Sequence, residues 1–378
     1  MNVKIIWIGS ALLMGLWQTR TAEELKMPTK AEVLSTIEKV NDYWQNSNPN
    51  AGWAFWDVAA YHTGNMAAYA ITNKESYKAY SQKWADKNKW MGATSRNKSE
   101  WKYNYGETNK HLLFGDWQVC FQTYIDLYNM DSVKNLQKIA RAREVLEYQM
   151  STPQNDYWWW ADGLYMVMPV MTKMYHVTGD TIYLSKMAQY FEYANSIMYD
   201  SIEKIYYRDA KYIYPKHKSI NDKKDFWARG NGWVIAALAK VLSDLPETDK
   251  SRKAYEQKFL GLAATIKNLQ QQEGYWTRSM MDPQHAPGPE TSGTAFFTYG
   301  LLWGINNGYL SSREYWPVVQ KAWNYLTTTA IQPNGKIGYV QPIGERAIPG
   351  QVVNRDSTAS FGVAAFLLAA TEMYKFVK

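Results

Sequence analysis

Six stretches of this chain begin at a polar or aromatic turn and run on as a helix of small and aromatic residues, at 61–72, 116–129, 162–177, 230–242, 291–305 and 357–374. Between them lie segments with one charged face, at 29–45, 132–150, 181–198, 251–272 and 312–328, with a further one at 75–89. The alternation recurs at a spacing of roughly 45–65 residues, which is the mark of a helical-hairpin repeat. A segment such as Trp233-Val234-Ile235-Ala236-Ala237-Leu238-Ala239 is apolar nearly all round and calls for burial on most sides. Ser251-Arg252-Lys253-Ala254-Tyr255-Glu256-Gln257-Lys258 keeps a solvated face. No stretch sustains the two-residue alternation of a strand. An open solenoid would need polar capping repeats at its ends. The last repeat, 359–370, is instead as apolar as the middle ones. The pattern therefore predicts an all-α (α/α)6 barrel of six inner and six outer helices. The turns preceding inner helices would gather at one mouth, where helix N-termini favour anionic groups.

A length of 378 residues allows one large closed fold or two to three smaller domains. The unbroken repetition favours one catalytic domain over 23–378. Residues 1–22 read as a cleavable signal peptide: Lys4 gives the positive start, 5–17 the short apolar run, and Thr21-Ala22 approaches a small-residue cleavage site. The run is short for a membrane span, so no stable membrane anchor is expected and the location is periplasmic or secreted. Cys120 is the only cysteine, which excludes an internal disulfide, and its apolar neighbours read as core. The net charge of +7 is spread along the chain, so no nucleic-acid partner is expected. The long polar linkers 210–225, 281–290 and 335–349 read as loops over the mouth, with a short hairpin around Pro333-Asn334-Gly335-Lys336.

The chain carries 18 Trp and 29 Tyr, flat faces with a polar handle that suit sugar platforms as well as cores. In Tyr157-Trp158-Trp159-Trp160-Ala161-Asp162-Gly163 a carboxylate ends an aromatic wall. A carboxyl held against apolar rings keeps its proton more readily and can act as an acid. Asp162 reads either as that acid or as a helix N-cap. Asp116 opens the preceding inner segment, which would bring the two carboxyls to one rim. Their mutual repulsion would raise one of them further. In Trp227-Ala228-Arg229-Gly230-Asn231-Gly232-Trp233 a guanidinium lies beside two indoles, an arrangement that can grip a carboxylate while the rings stack on a sugar. The alternative is an arginine packed on aromatics in the core. His62 reads as a mouth residue or a structural histidine, and Glu290 as a rim residue or a helix cap. The five histidines show no metal-ligand spacing, so neither metal nor cofactor is expected. No phosphate loop or nucleophile elbow is present.

Trp159-Trp160-Ala161-Asp162-Gly163-Leu164-Tyr165-Met166, Phe226-Trp227-Ala228-Arg229-Gly230-Asn231-Gly232-Trp233, and Asp116 with Gln122-Thr123-Tyr124-Ile125-Asp126-Leu127-Tyr128 together resemble the unsaturated uronyl hydrolases of glycoside hydrolase family 105, the unsaturated rhamnogalacturonyl hydrolase group. The similarity covers nearly all of the chain after residue 22. It implies a metal-free barrel with Asp162 as general acid and base, Asp116 assisting, and Trp227 and Arg229 in the sugar site. Trp233, Trp160 and His62 are read from the residues themselves as further candidate substrate contacts. One departure stands out. Where family members often carry Tyr-His-Gly, this chain reads Tyr206-Tyr207-Arg208-Asp209-Ala210. The resemblance implies removal of a 4,5-unsaturated uronic acid from an acidic oligosaccharide. An inverting glycosidase on saturated oligosaccharides and a periplasmic glycan-binding protein are the rival readings.

Overall fold

The computed structural model describes residues 26–50 and 52–378, and the expected signal peptide lies outside them. Twelve α-helices alternate between two layers among the described residues. The outer layer holds α1 (Lys30–Ser47), α3 (Glu75–Lys87), α5 (Gln137–Ser151), α7 (Ile182–Met198), α9 (Arg252–Asn268) and α11 (Ser312–Tyr325). The inner layer holds α2 (Trp56–Thr72), α4 (Cys120–Met130), α6 (Ala161–Thr178), α8 (Ala228–Asp244), α10 (Thr291–Asn306) and α12 (Ser360–Phe376). Each inner helix packs on the next, and α12 returns to α2. The ring is closed, as the apolar last repeat predicts, and the chain folds as an (α/α)6 barrel.

Local chemistry fixes the helix ends. Thr29 and Glu32 form a capping box on α1, Glu32 N donating to Thr29 Oγ1 at 3.2 Å and Thr29 N to Glu32 Oε2 at 2.7 Å. Asn73 and Gly179 end α2 and α6 in the left-handed region, at φ 51° and 72°. The closing seam depends on small residues. A Cβ on Gly64 of α2 would lie 2.7 Å from the Ala364 main chain of α12. Only a glycine lets these two helices approach so closely. The Ser360 hydroxyl donates to the Asp57 carbonyl across the same seam.

Several boundaries differ from the sequence pattern, and two of them move functional residues. Asp116 does not open α4 but lies in a separate 3-10 turn, Gly115–Trp117. Arg229 lies inside the first turn of α8, not in the turn before it. Two short strands that the pattern did not announce, β1 (Tyr199–Asp200) and β2 (Ile205–Tyr206), pair antiparallel after α7. The expected hairpin at 333–336 is present as an Ile331–Ile337 bridge. Among the described residues no helix is long and apolar enough to cross a membrane.

Candidate active site

A cavity of ≈ 540 Å³ opens at the end of the barrel where the inner helices begin. Its wall takes Trp56 and Asp57 from the start of α2, Asp116 from the turn before α4, and Trp159, Trp160 and Asp162 from the entry to α6. Loop residues Tyr105, Glu107, Arg208, Lys211 and Ile343–Glu345 also line it, with Trp53 and Phe55 ahead of α2 and Met166 from α6. The structure brings Asp116, Asp162 and Trp160, three of the residues singled out in the sequence, to one cavity.

Asp162 is the second residue of α6, and Trp160 occupies the N-cap position without a side-chain cap bond. The capping reading of Asp162 is thus set aside. Both aspartates are buried, 6% exposed for Asp116 and 8% for Asp162. Burial pushes the Asp116 carboxyl well above the ordinary range, and the charge of Asp162 pushes it further. Burial raises Asp162 too, while Arg208 and, behind it, Arg229 pull it down. Oδ2 of Asp162 is buried without a hydrogen-bond partner. A buried acid pair with one unsatisfied oxygen can hold a proton and release it to a reacting atom.

Arg208 is the residue that sequence reasoning missed. It was visible only as the departure from Tyr-His-Gly. Main-chain pairing puts it in place: Trp160 and Asp209 form an antiparallel bridge, and Ala161 N donates to Arg208 O at 2.8 Å. Its Nε then faces Asp162 Oδ2 at 3.7 Å, and that Nε also lacks a hydrogen-bond partner. Its guanidinium lies over the Trp159 ring, 5.7 Å from the centroid.

Four expected contacts need correction. Arg229 is fully buried, stacked between Trp227 and Phe361, and it grips main chain. Its Nη1 donates to Gln341 O at 2.6 Å and its Nη2 to Pro342 O at 2.9 Å. Burial lowers its pKa to about 10 although Glu290 and Asp162 favour the charge. Trp227 is buried as well and donates to Gln341 Oε1 at 2.8 Å. Both residues hold the loop that carries Glu345, and neither lines the cavity. Trp233 is fully buried against Phe296 and Tyr165, with its edge toward Trp56. His62 is buried between α2 and α3, stacked on Trp84 with its Nδ1 2.9 Å from Ser81 Oγ. The aromatic–arginine pattern reads alike in a binding site and in a core, and here the returning carbonyls of 341 and 342 decide for the core. Glu290 proves to be a helix cap: its carboxylate accepts from Ser292 N, Gly293 N and Gln341 N. Cys120 is buried, as expected.

A family model described as Glycosyl Hydrolase Family 88 matches residues 29–377. The chain belongs to glycosyl hydrolase family 88. It is a glycoside hydrolase by that membership, and the relationship read from the motifs holds at family level. The unsaturated 3S-rhamnoglycuronyl hydrolase of Formosa agariphila is 30% identical over 385 residues, 98% of this chain and 96% of that protein. The solved structure of a family 88 glycosyl hydrolase from Bacteroides vulgatus is 58% identical, with a TM-score of 0.90 over 93% of this chain and 100% of that one. A further structure, described as polysaccharide lyase BACCELL_00875, is 66% identical, with a TM-score of 0.90 over 92% of this chain and 98% of that one.

Proposed function

We propose that this family 88 member is an exported hydrolase that removes a 4,5-unsaturated uronic acid from the non-reducing end of a lyase product. The observation that carries the reading is the buried pair Asp116 and Asp162, raised toward the protonated state, with one cation beside the second of them. The substrate of such an enzyme holds a C4=C5 vinyl ether conjugated to a carboxylate. Asp162 protonates C4, which leaves positive charge shared by C5 and the ring oxygen. Water gives a proton back to the same carboxylate and its oxygen bonds to C5. The resulting hemiketal opens and releases the next sugar, so the net change is addition of one water. A positioned acid contributes roughly 100- to 10,000-fold to such a step.

Arg208 gains a role in this scheme that the sequence motif had given to Arg229. At rest its charge holds Asp162 down while Asp116 is raised further. A substrate carboxylate docked on the guanidinium neutralises that pull, and the proton then belongs on Asp162, next to C4. Binding and acid activation become one event. The trio Trp159, Trp160 and Trp56 supplies faces on which a flattened unsaturated ring can stack.

The description of the 66% identical structure as a lyase favours a second reading, β-elimination, which would create the same unsaturated sugar. One assay separates all readings. Ultraviolet absorbance of the conjugated double bond should fall when an unsaturated disaccharide is supplied. A rise from a saturated uronide would establish the lyase, reducing-sugar release without absorbance change the inverting glycosidase, and affinity without turnover the binding protein.

A further inference from the structure

A second cavity, of ≈ 440 Å³, lies at the other end of the barrel, between the C-terminal halves of α6, α8, α10 and α12. Its volume falls among those of small-molecule sites, about 300–1,000 Å³. Three lysines line it: Lys173, Lys240 and Lys375. Helix C-termini carry partial negative charge and draw cations, so lysines alone do not make a site here. Two of the three have carboxylates of their own. Lys173 pairs with Asp126, and Lys375 Nζ stands 2.7 Å from Glu372 Oε1. Lys240 has no ion pair or hydrogen bond among the described residues, and its Nζ lies 5.6 Å from the centre of the Tyr165 ring. Burial holds its amine down to about 8, and the charges of Lys173 and Lys375 act the same way, while Asp126 and Asp244 oppose them.

Tyr299 points independently to a ligand. It is 5% exposed and lines the same cavity, yet its hydroxyl has no hydrogen-bond partner among the described residues. Burial, with the charge of Glu372 behind it, pushes that hydroxyl well above its ordinary pKa, so it stays a neutral donor. Charge balance at the helix ends accounts for Lys240 but not for this hydroxyl. An unpartnered donor and a cation without a counter-ion together suit a negatively charged acceptor. The rim of the cavity is polar and includes Asn306 and Asn307. Their amide nitrogens donate to Glu372 and to the Trp303 carbonyl, which leaves their side-chain oxygens for hydroxyl donors. We infer that this cavity binds a small hydroxylated carboxylate, a sugar acid of monosaccharide size, with its carboxylate on Lys240 and Tyr299 and its hydroxyls on the asparagine rim. None of these residues lines the cavity at the mouth, so the inference does not rest on the hydrolase reading.

The probe is D-glucuronate, with glucose and inorganic phosphate beside it, and the target is the wild-type chain. An amine-acylating reagent at a pH close to that of the Lys240 amine, about 8, should label Lys240 in the free protein, and peptide mass analysis follows each lysine separately. Glucuronate should slow the labelling of Lys240 and leave that of exposed Lys253 on α9 unchanged. Half-protection should need at least about tenfold less glucuronate than glucose or phosphate, because charge-assisted and hydroxyl hydrogen bonds act together only in the sugar acid. Tyr299→Phe, read by the same labelling, should raise the half-protecting concentration about two- to tenfold. The main comparison needs no variant, so it stands whether or not Tyr299→Phe folds. A Lys240 that resists the reagent in the free protein, or labelling that glucuronate does not slow, would overturn the inference. Equal protection by glucose would overturn it by showing that no charge is read, and equal protection by phosphate by showing that charge alone is read. A half-protecting concentration unmoved in folded Tyr299→Phe would overturn the placement of the carboxylate. Loss of double-bond absorbance at the mouth is measured separately, so none of these outcomes touches the hydrolase reading.

Discussion

Arg208→Gln separates the role of the cavity's buried cation from that of Arg229. The side chain is 11% exposed, and its Nε lies 3.7 Å from Asp162 Oδ2. At that separation and an effective dielectric near 20, opposite unit charges attract by about 4.5 kcal/mol, an upper scale because Asp209 and Glu345 share the guanidinium. Glutamine keeps a donor for Asp209, so the fold should survive. A docked carboxylate loses a charge-assisted bond, which costs about 1.5–3 kcal/mol, or about 10- to 150-fold in KM. The pH profile gives a second, independent reading. Asp162 must be protonated to act, so activity falls as pH rises through its pKa. Removing the nearby cation raises that pKa, and the descending limb of kcat/KM should move to higher pH. The shift should be smaller in kcat, since bound substrate already neutralises Arg208 in the complex. The assay compares the free uronate with its methyl ester in wild type and variant, by loss of double-bond absorbance. Esterification should hurt the wild type far more than the variant. An equal penalty in both, or a limb that does not move, would refute the assignment.

Asp162→Asn should lower turnover by at least about 100-fold with unchanged circular dichroism, and near-normal activity would remove it as proton donor. Arg229→Lys cannot span both carbonyls of Gln341 and Pro342, so urea unfolding should show a loss of about 2–4 kcal/mol, while the ester-to-acid preference stays that of wild type. Gly64→Ala forces a methyl against the Ala364 main chain and should cost about 1–3 kcal/mol in the same measurement; no loss would mean that the seam yields freely. Protein expressed with its native leader should carry a new N-terminus between about Ala11 and Lys26 by mass analysis, and an intact chain recovered from membranes would contradict export.

The barrel was legible because burial on all sides leaves a compositional trace: inner helices such as α8 and α10 are small and aromatic throughout, and outer ones are not. Asp162 and Trp160 stood out because a carboxylate ends an aromatic run, and Asp116 because the pattern set it at the start of the neighbouring inner segment, although it lies in a 3-10 turn just ahead of that helix. Arg208 was not, since its position follows from a main-chain bridge to Trp160 that no spacing rule records. Glu345 was hidden for a related reason. The loop at 335–349 was expected over the mouth, but which of its residues points inward depends on Arg229, Trp227 and Glu290 holding Gln341 from beneath. The same buried arginine explains why the tryptophan–arginine motif misled: its side chain supports the loop and does not line the cavity.

Closure of α12 onto α2 has a consequence for how the molecule comes into being. Asp57 and Glu345 line one cavity although about three quarters of the chain separates them, and the seam beside them is completed by Ser360. A ribosome or an export pore delivers the polypeptide from its beginning, so the ring that holds the cavity wall together is not closed until the final helix has arrived. Until then the face of α2 around Gly64 lacks its α12 partner and lies open to wrong associations. Contacts this distant along the chain are slow to form. Nascent and truncated forms should therefore depend on holding factors, and activity should appear abruptly with the last twenty or so residues rather than growing with length.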